Sequence, residues 1–178
     1  MSNTQLILTG FMGMGKTTVG SMAAETLGVP FFDTDVWMKE RMELDVPALV
    51  RSDMGEFRRR EREALGLIID QEAGVIATGG GFVSTYLGRQ ALHAARKKGL
   101  QVVWLQADFE VAAERVAADV TGMERPLFKD VHKARTLFDG RQAYYGITAS
   151  HIVDAALPAR VVADQLVAIA QHELPVAM

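Results

Sequence analysis

Apolar residues along the chain fall into short runs that alternate with longer stretches of helical period. The runs at 5–9, 30–32, 74–77, 101–105 and 151–153 have the length and bounding residues of buried strands. Between them the period predicts helices over about 16–27, 36–42, 47–51, 57–72, 86–98, 109–119, 131–145 and 159–172. Strand–helix alternation of this kind predicts an α/β, three-layer sandwich: a parallel sheet with helices on both faces. Ligands of such sheets bind beyond the carboxyl ends of the strands. No repeat, linker or low-complexity segment interrupts the pattern, so residues 1–178 read as a single domain.

Composition narrows the class. The chain has 178 residues, a net charge of −3 and a pI near 5.8, which argues against a general binder of nucleic acid or anionic membranes. Arg outnumbers Lys by 13 to 6, and Arg suits bidentate capture of phosphate and carboxylate, although codon bias explains the ratio equally well. Cysteine is absent, which removes disulfides, thiol catalysis and Cys-based metal sites. No apolar stretch approaches a membrane span, and the first apolar run is too short for a signal-peptide core. A cytoplasmic protein is the expectation.

Directly after the first strand comes Gly10-Phe11-Met12-Gly13-Met14-Gly15-Lys16-Thr17, which matches the P-loop pattern and opens a helix. Glycines let the backbone curl so that consecutive amides face phosphate oxygens, and the helix start adds its positive dipole. Gly13, Met14, Gly15, Lys16, Thr17 and Thr18 are therefore the ATP-binding candidates. Lys16 is expected to reach the β- and γ-phosphates, and the Thr17 hydroxyl to ligate Mg²⁺.

The second strand ends in Asp33-Thr34-Asp35. If the strand continues through both, period-two alternation points the two carboxylates the same way. One near Mg²⁺ and one near an acceptor hydroxyl is what phosphoryl transfer to an alcohol requires. The structural alternative is a helix N-cap.

Over 57–72 the apolar stripe comes from Phe57, Ala64, Leu65, Ile68 and Ile69. At about 100° per residue, Arg58 falls within roughly 20° of Leu65, and Glu61 lies in the same stripe. Arg59, Arg60, Glu63 and Asp70 lie opposite, on a solvated face. A charge on the buried stripe must be paired or line a cleft. Arg58 is thus a candidate for a substrate carboxylate, held by Glu61, or one half of a structural ion pair. The buried run Val75–Ala77 ends in Gly79-Gly80-Gly81, whose exposed amides suit an acceptor carboxylate or the γ-phosphate. A tight turn accounts for one glycine more easily than for three.

Arg125 lies in an aperiodic stretch, 120–130, that suits a lid closing over ATP, where an Arg stabilises charge on the transferring phosphoryl group. Arg115, on the preceding helix, either flanks the nucleotide or faces solvent. Arg141, before Tyr144 and Tyr145, is a second candidate for the acceptor. The four His show no metal spacing and read as surface or boundary residues. Trp37, Trp104 and the Met residues read as packing.

Taken together, Gly10–Thr17, Asp33 with Asp35, Phe57-Arg58 with Glu61, the triple glycine, Arg125-Pro126-Leu127 and Arg141 with Tyr145 resemble the shikimate kinase family in order and near spacing. The likeness runs from Leu6 to about Ala170. It implies ATP-dependent phosphorylation of the shikimate 3-hydroxyl in aromatic amino-acid biosynthesis, and a P-loop fold with five parallel strands in the order 2-3-1-4-5. It implies catalytic roles for Lys16, Asp35 and Arg125, with Asp35 as acceptor ligand and base. Thr17 and, through water, Asp33 would serve Mg²⁺. Arg58 and Arg141 would hold the acceptor carboxylate with Gly79, Gly80 and Gly81. Arg115 and Arg125 would flank ATP. An acceptor-binding region over about 36–62 and a lid over about 115–130 are expected, as are ATP and shikimate as the only partners and a monomeric state.

Two positions depart from the family pattern. Gly55-Glu56 stands two residues nearer Phe57-Arg58 than in many relatives, and Ala143 stands where a Pro is frequent. On spacing alone, other carboxylate-bearing polyols, a gluconate or nucleoside monophosphate acceptor, and a nucleotide-binding switch without kinase activity remain open. The switch has no need of Asp35, Arg58 and Arg141 together.

Overall fold

The computed structural model describes residues 5–71, 74–119 and 126–171. Five strands, β1 (Gln5–Thr9), β2 (Phe31–Asp33), β3 (Gly74–Ala77), β4 (Gln101–Gln106) and β5 (His151–Asp154), form one sheet in the order β2-β3-β1-β4-β5. Every pairing is parallel. Central β1 and β3 are buried at every position described, as a sheet covered on both faces requires. Leu6, Ile7 and Leu8 are fully buried at its centre, each contributing about 1.5–3 kcal/mol of apolar burial.

Among the described residues, eight α-helices connect and cover the strands: α1 (Lys16–Leu27), α2 (Thr34–Arg41), α3 (Val46–Ser52), α4 (Met54–Gln71), α5 (Tyr86–Lys97), α6 (Phe109–Ala117), α7 (Val131–Thr148) and α8 (Ala159–Ala170). Strand and helix positions agree with the periodicity, and the differences are confined to ends. The helix over 34–41 begins two residues earlier than expected because the Asp33 carboxylate caps it, accepting from the Asp35 amide at 3.0 Å. α7 extends three residues past Tyr145. Ala143 lies inside it, where a proline would remove an N–H from the helical ladder.

A separate small apolar cluster holds α2, α3 and α4 together, with Met38, Phe57 and Ala64 at its centre and Trp37, Leu44 and Leu49 around them. It supports the side of the sheet beyond Asp35. His151 differs from expectation: it is buried on β5, its ring nitrogen 3.0 Å from Gln101 Oε1. Trp104 packs as expected, stacked on Tyr145. Among the described residues no helix is long and apolar enough to cross a membrane.

Candidate active site

The loop between β1 and α1 builds the first half of the site. Gly13 and Gly15 have φ of 86° and 80°, left-handed values that a side chain would strain, and they turn the chain into α1. Gly15 occupies the N-cap and offers no side chain, so the first-turn amides of α1 have no capping group. Lys16 Nζ folds over this loop and donates to the carbonyls of Gly10 at 2.8 Å and Phe11 at 3.0 Å. Met14 instead buries its side chain, and its amide donates to the Phe11 carbonyl at 3.3 Å.

A cleft of about 450 Å³ opens over the loop. Residues Gly13–Thr18, Asp33, Asp35, Gly79, Gly80 and Arg115 all line it. The Thr17 hydroxyl donates to Asp33 Oδ2 at 3.2 Å. That pair of hard oxygens beside the phosphate loop fits a Mg²⁺ ion, which takes only one or two protein ligands and fills the rest with water and phosphate. Among the described residues no cluster of three or more His, Asp or Glu side chains forms a closed metal cage.

The two aspartates converge, but not by strand alternation. The strand stops at Asp33, and Asp35 sits in the first turn of α2, so the cap geometry sets their relation. Asp33 caps the helix and also meets Thr17. Asp35 is pushed up to about 6, first by burial and then by the charge of Asp33, with Arg58 and Lys16 pulling it back. Its Oδ1 is buried and has no hydrogen-bond partner. An orphaned carboxylate oxygen beside a phosphate loop is positioned to receive a hydroxyl.

The residues expected to hold the acceptor gather around the turn after β3. Arg58 Nη1 donates to Glu61 Oε2 at 2.6 Å, and Glu61 is completely buried. Burial pushes Glu61 up to about 7, against the opposing pull of Arg58. The second Glu61 oxygen is buried against Gly79, where a Cβ would overlap it. From the other side, Arg141 Nη1 donates to the Gly80 carbonyl at 3.3 Å and the Tyr145 hydroxyl donates to the same oxygen at 2.5 Å. Arg141 also lies over the Phe11 ring, 5.7 Å from its centroid. Burial and the nearby Arg58 charge hold Arg141 below its ordinary value. Two guanidinium groups, Arg58 and Arg141, thus meet at one glycine turn together with the carboxyl groups of Glu61 and Asp35.

Most of the residues singled out from the sequence come together here. Arg58, Gly81 and Arg141 stand just beyond the cleft lining, around its glycine wall. Arg115 faces the loop and donates to the Ala155 carbonyl at 2.7 Å. Arg125 lies outside the described residues, as do residues 120–124 of the expected lid. Sequence reasoning missed Thr78, Ala155 and Leu157, which also line the cleft. The last two are small or apolar side chains on the β5–α8 connection, and nothing in their local pattern marks them.

A P-loop after the first strand, two acidic groups in its cleft and two arginines at the adjoining glycine turn, in a 2-3-1-4-5 sheet, define a P-loop phosphotransferase acting on a small molecule. A family model described as "Shikimate kinase" matches residues 12–171. The chain is 36% identical to a shikimate kinase of Moorella thermoacetica, over 90% of this chain and 91% of that one. It is 33% identical to shikimate kinase 2 of Yersinia enterocolitica, over 94% and 96% respectively. Among solved structures, shikimate kinase from Acinetobacter baumannii in complex with shikimate superposes with a TM-score of 0.81 at 29% identity, covering 95% of this chain and 93% of that one. The chain belongs to the shikimate kinase family.

Proposed function

We propose that the protein transfers the γ-phosphate of ATP to the 3-hydroxyl of shikimate, a step of aromatic amino-acid biosynthesis, with the residues around this cleft in distinct roles. The observation that carries the reading is the gathering of two guanidinium groups and the unpartnered Asp35 oxygen around one glycine turn beside the P-loop. A ring bearing a carboxylate and hydroxyls would offer the former to the guanidinium groups and one of the latter to Asp35.

Lys16 and the uncapped start of α1 would hold the triphosphate, with Thr17 and Asp33 as the residues that hold Mg²⁺. The ion would neutralise charge on the β- and γ-phosphates. Arg58 and Arg141 would bind the shikimate carboxylate, and Asp35 would accept the proton of the attacking hydroxyl. The raised affinity of Asp35 for a proton suits that task near neutral pH. Gly79, Gly80 and Gly81 keep the turn narrow enough for substrate and guanidinium groups to share it. Arg115 and the Ala155–Leu157 connection, which line the cleft, would flank the nucleotide base. Arg125 would close over the phosphates from its expected lid. The helical region supported by the Met38–Phe57 cluster would carry the acceptor side, with the protein acting as a monomer in the cytoplasm.

Release of ADP from ATP and Mg²⁺ should be measured against shikimate, gluconate and a nucleoside monophosphate. Stimulation by shikimate alone is expected. Equal stimulation by gluconate would point to another polyol kinase, and no stimulation by any acceptor would leave only a nucleotide binder.

A further inference from the structure

A second hollow, of about 490 Å³, opens between α5 and the C-terminal turns of α7 and shares no lining residue with the P-loop cleft. Its volume lies within the range of small-molecule sites. Arg89, His93 and Lys97 line it at intervals of four residues, so they share one face of α5 and rise about 6 Å apart along the helix. Tyr86 and Ile147, also in its lining, are 65% and 64% exposed. No carboxylate lines the hollow, although the chain as a whole carries −3.

An ordinary solvated helix face in this protein looks different. On α4, Arg59 and Arg60 are paired with Glu56 and Glu63 at 2.7–3.4 Å. On α5, by contrast, His93 and Lys97 form no ion pair among the described residues. Arg89 is already fixed: Nη1 donates to the Val83 carbonyl at 2.8 Å, and its guanidinium lies 4.2 Å from the centroid of the Tyr144 ring. The hollow therefore has a rigid cationic wall, two further nitrogen donors and exposed apolar edges.

We propose that this groove is a second binding site, for a small organic anion carrying a flat apolar ring. The ring would pack against Tyr86 and Ile147, and the anionic group would meet Lys97 with His93 as a donor. Neither charge nor ring alone would suffice, because a single exposed cation contributes little and an uncharged ring leaves the nitrogen donors unused.

The test uses the full-length protein with saturating shikimate and ADP, so that both halves of the catalytic cleft are filled. Phenylacetate is titrated calorimetrically, with acetate and benzyl alcohol supplying the charge and the ring separately. Saturable one-to-one binding of phenylacetate is expected, at least about tenfold tighter than either fragment. Lys97→Glu and Ile147→Glu should each weaken it by about tenfold or more while keeping the unliganded melting temperature and kinase rate. Absence of saturable binding would overturn the proposal. So would binding that neither variant alters, or acetate binding as tightly as phenylacetate.

Discussion

The Arg58 guanidinium occupies the space where a side chain on Gly81 would begin. A Cβ there would overlap Arg58 Nη2 and stand 3.2 Å from Nη1, while a Cβ on Gly79 would overlap Glu61 Oε1. The triple glycine and the Arg58–Glu61 pair are therefore two halves of one feature. The turn is bare because a buried ion pair from α4 lies against it.

Gly81→Ala should shift the guanidinium, the end of a flexible side chain, without removing the charge that faces Glu61, and so cost less stability than loss of Arg58 itself. We expect the KM for shikimate to rise at least about tenfold with a change in melting free energy under about 1 kcal/mol. Gly88→Ala makes the contrast, since its Cβ would overlap the backbone carbonyl of Phe82. Backbone cannot swing aside, and a loss of about 1–3 kcal/mol is expected there. Thermal melts and shikimate titrations of both variants check the split.

Arg58→Ala should weaken acceptor binding and also destabilise the fold by leaving Glu61 buried without its cation. Glu61 would then hold its proton to higher pH, so the stability loss should grow as pH rises through and beyond about 7. Adding Glu61→Gln should recover much of the stability without recovering shikimate affinity. If the double variant regained both, Arg58 would be a structural partner only.

Asp35 gives a pH signature with a definite sign. Its folded value of about 6 lies above the ordinary 3.8, so the unfolded chain loses this proton first. Its contribution to stability is undiminished below about 4, falls as pH rises to about 6, and is constant above that. The move from 3.8 to about 6 corresponds to a cost of about 3 kcal/mol for ionised Asp35. Asp35→Asn should accordingly melt higher than the wild type at pH 8, match it near pH 4, and have little kinase activity. Denaturation of the ligand-free protein across this range would show it; a lower melting temperature at pH 8 would contradict it.

Asp33 has two partners, the Asp35 amide and the Thr17 hydroxyl. Asp33→Ala should cost about 1 kcal/mol through the lost cap and raise the Mg²⁺ concentration needed for half-maximal rate. Lys16→Ala should instead lower kcat by about 100-fold or more, with a stability loss of about 1–2 kcal/mol from its two hydrogen bonds to the loop carbonyls. ADP release over a Mg²⁺ series distinguishes the two.

Much of this was legible along the chain. The P-loop declares itself because its chemistry uses contiguous backbone amides, so spacing alone specifies it. Arg58 and Glu61 were found because a helix of fixed period displays charges on its apolar stripe as anomalies. The reason for the bare glycine turn was not legible: its cause is a side chain more than twenty residues earlier in sequence. Ala155 and Leu157 left no mark either, for they line the cleft by position and not by chemistry. The strand reading of Asp33 and Asp35 reached the right neighbourhood through the wrong local geometry, since a cap hydrogen bond overrode alternation.

By itself, the sequence determined the alternating elements, the phosphate loop and the residue types able to bind an anion, because all of these depend on period and near neighbours. Only the tertiary structure decided that Arg58, Gly81, Gly80 and Arg141 meet at one turn, and that Asp35 is buried enough to have its proton affinity raised. Contacts between distant segments, and the desolvation they impose, come from packing the sheet and its helices together, and no local pattern encodes them.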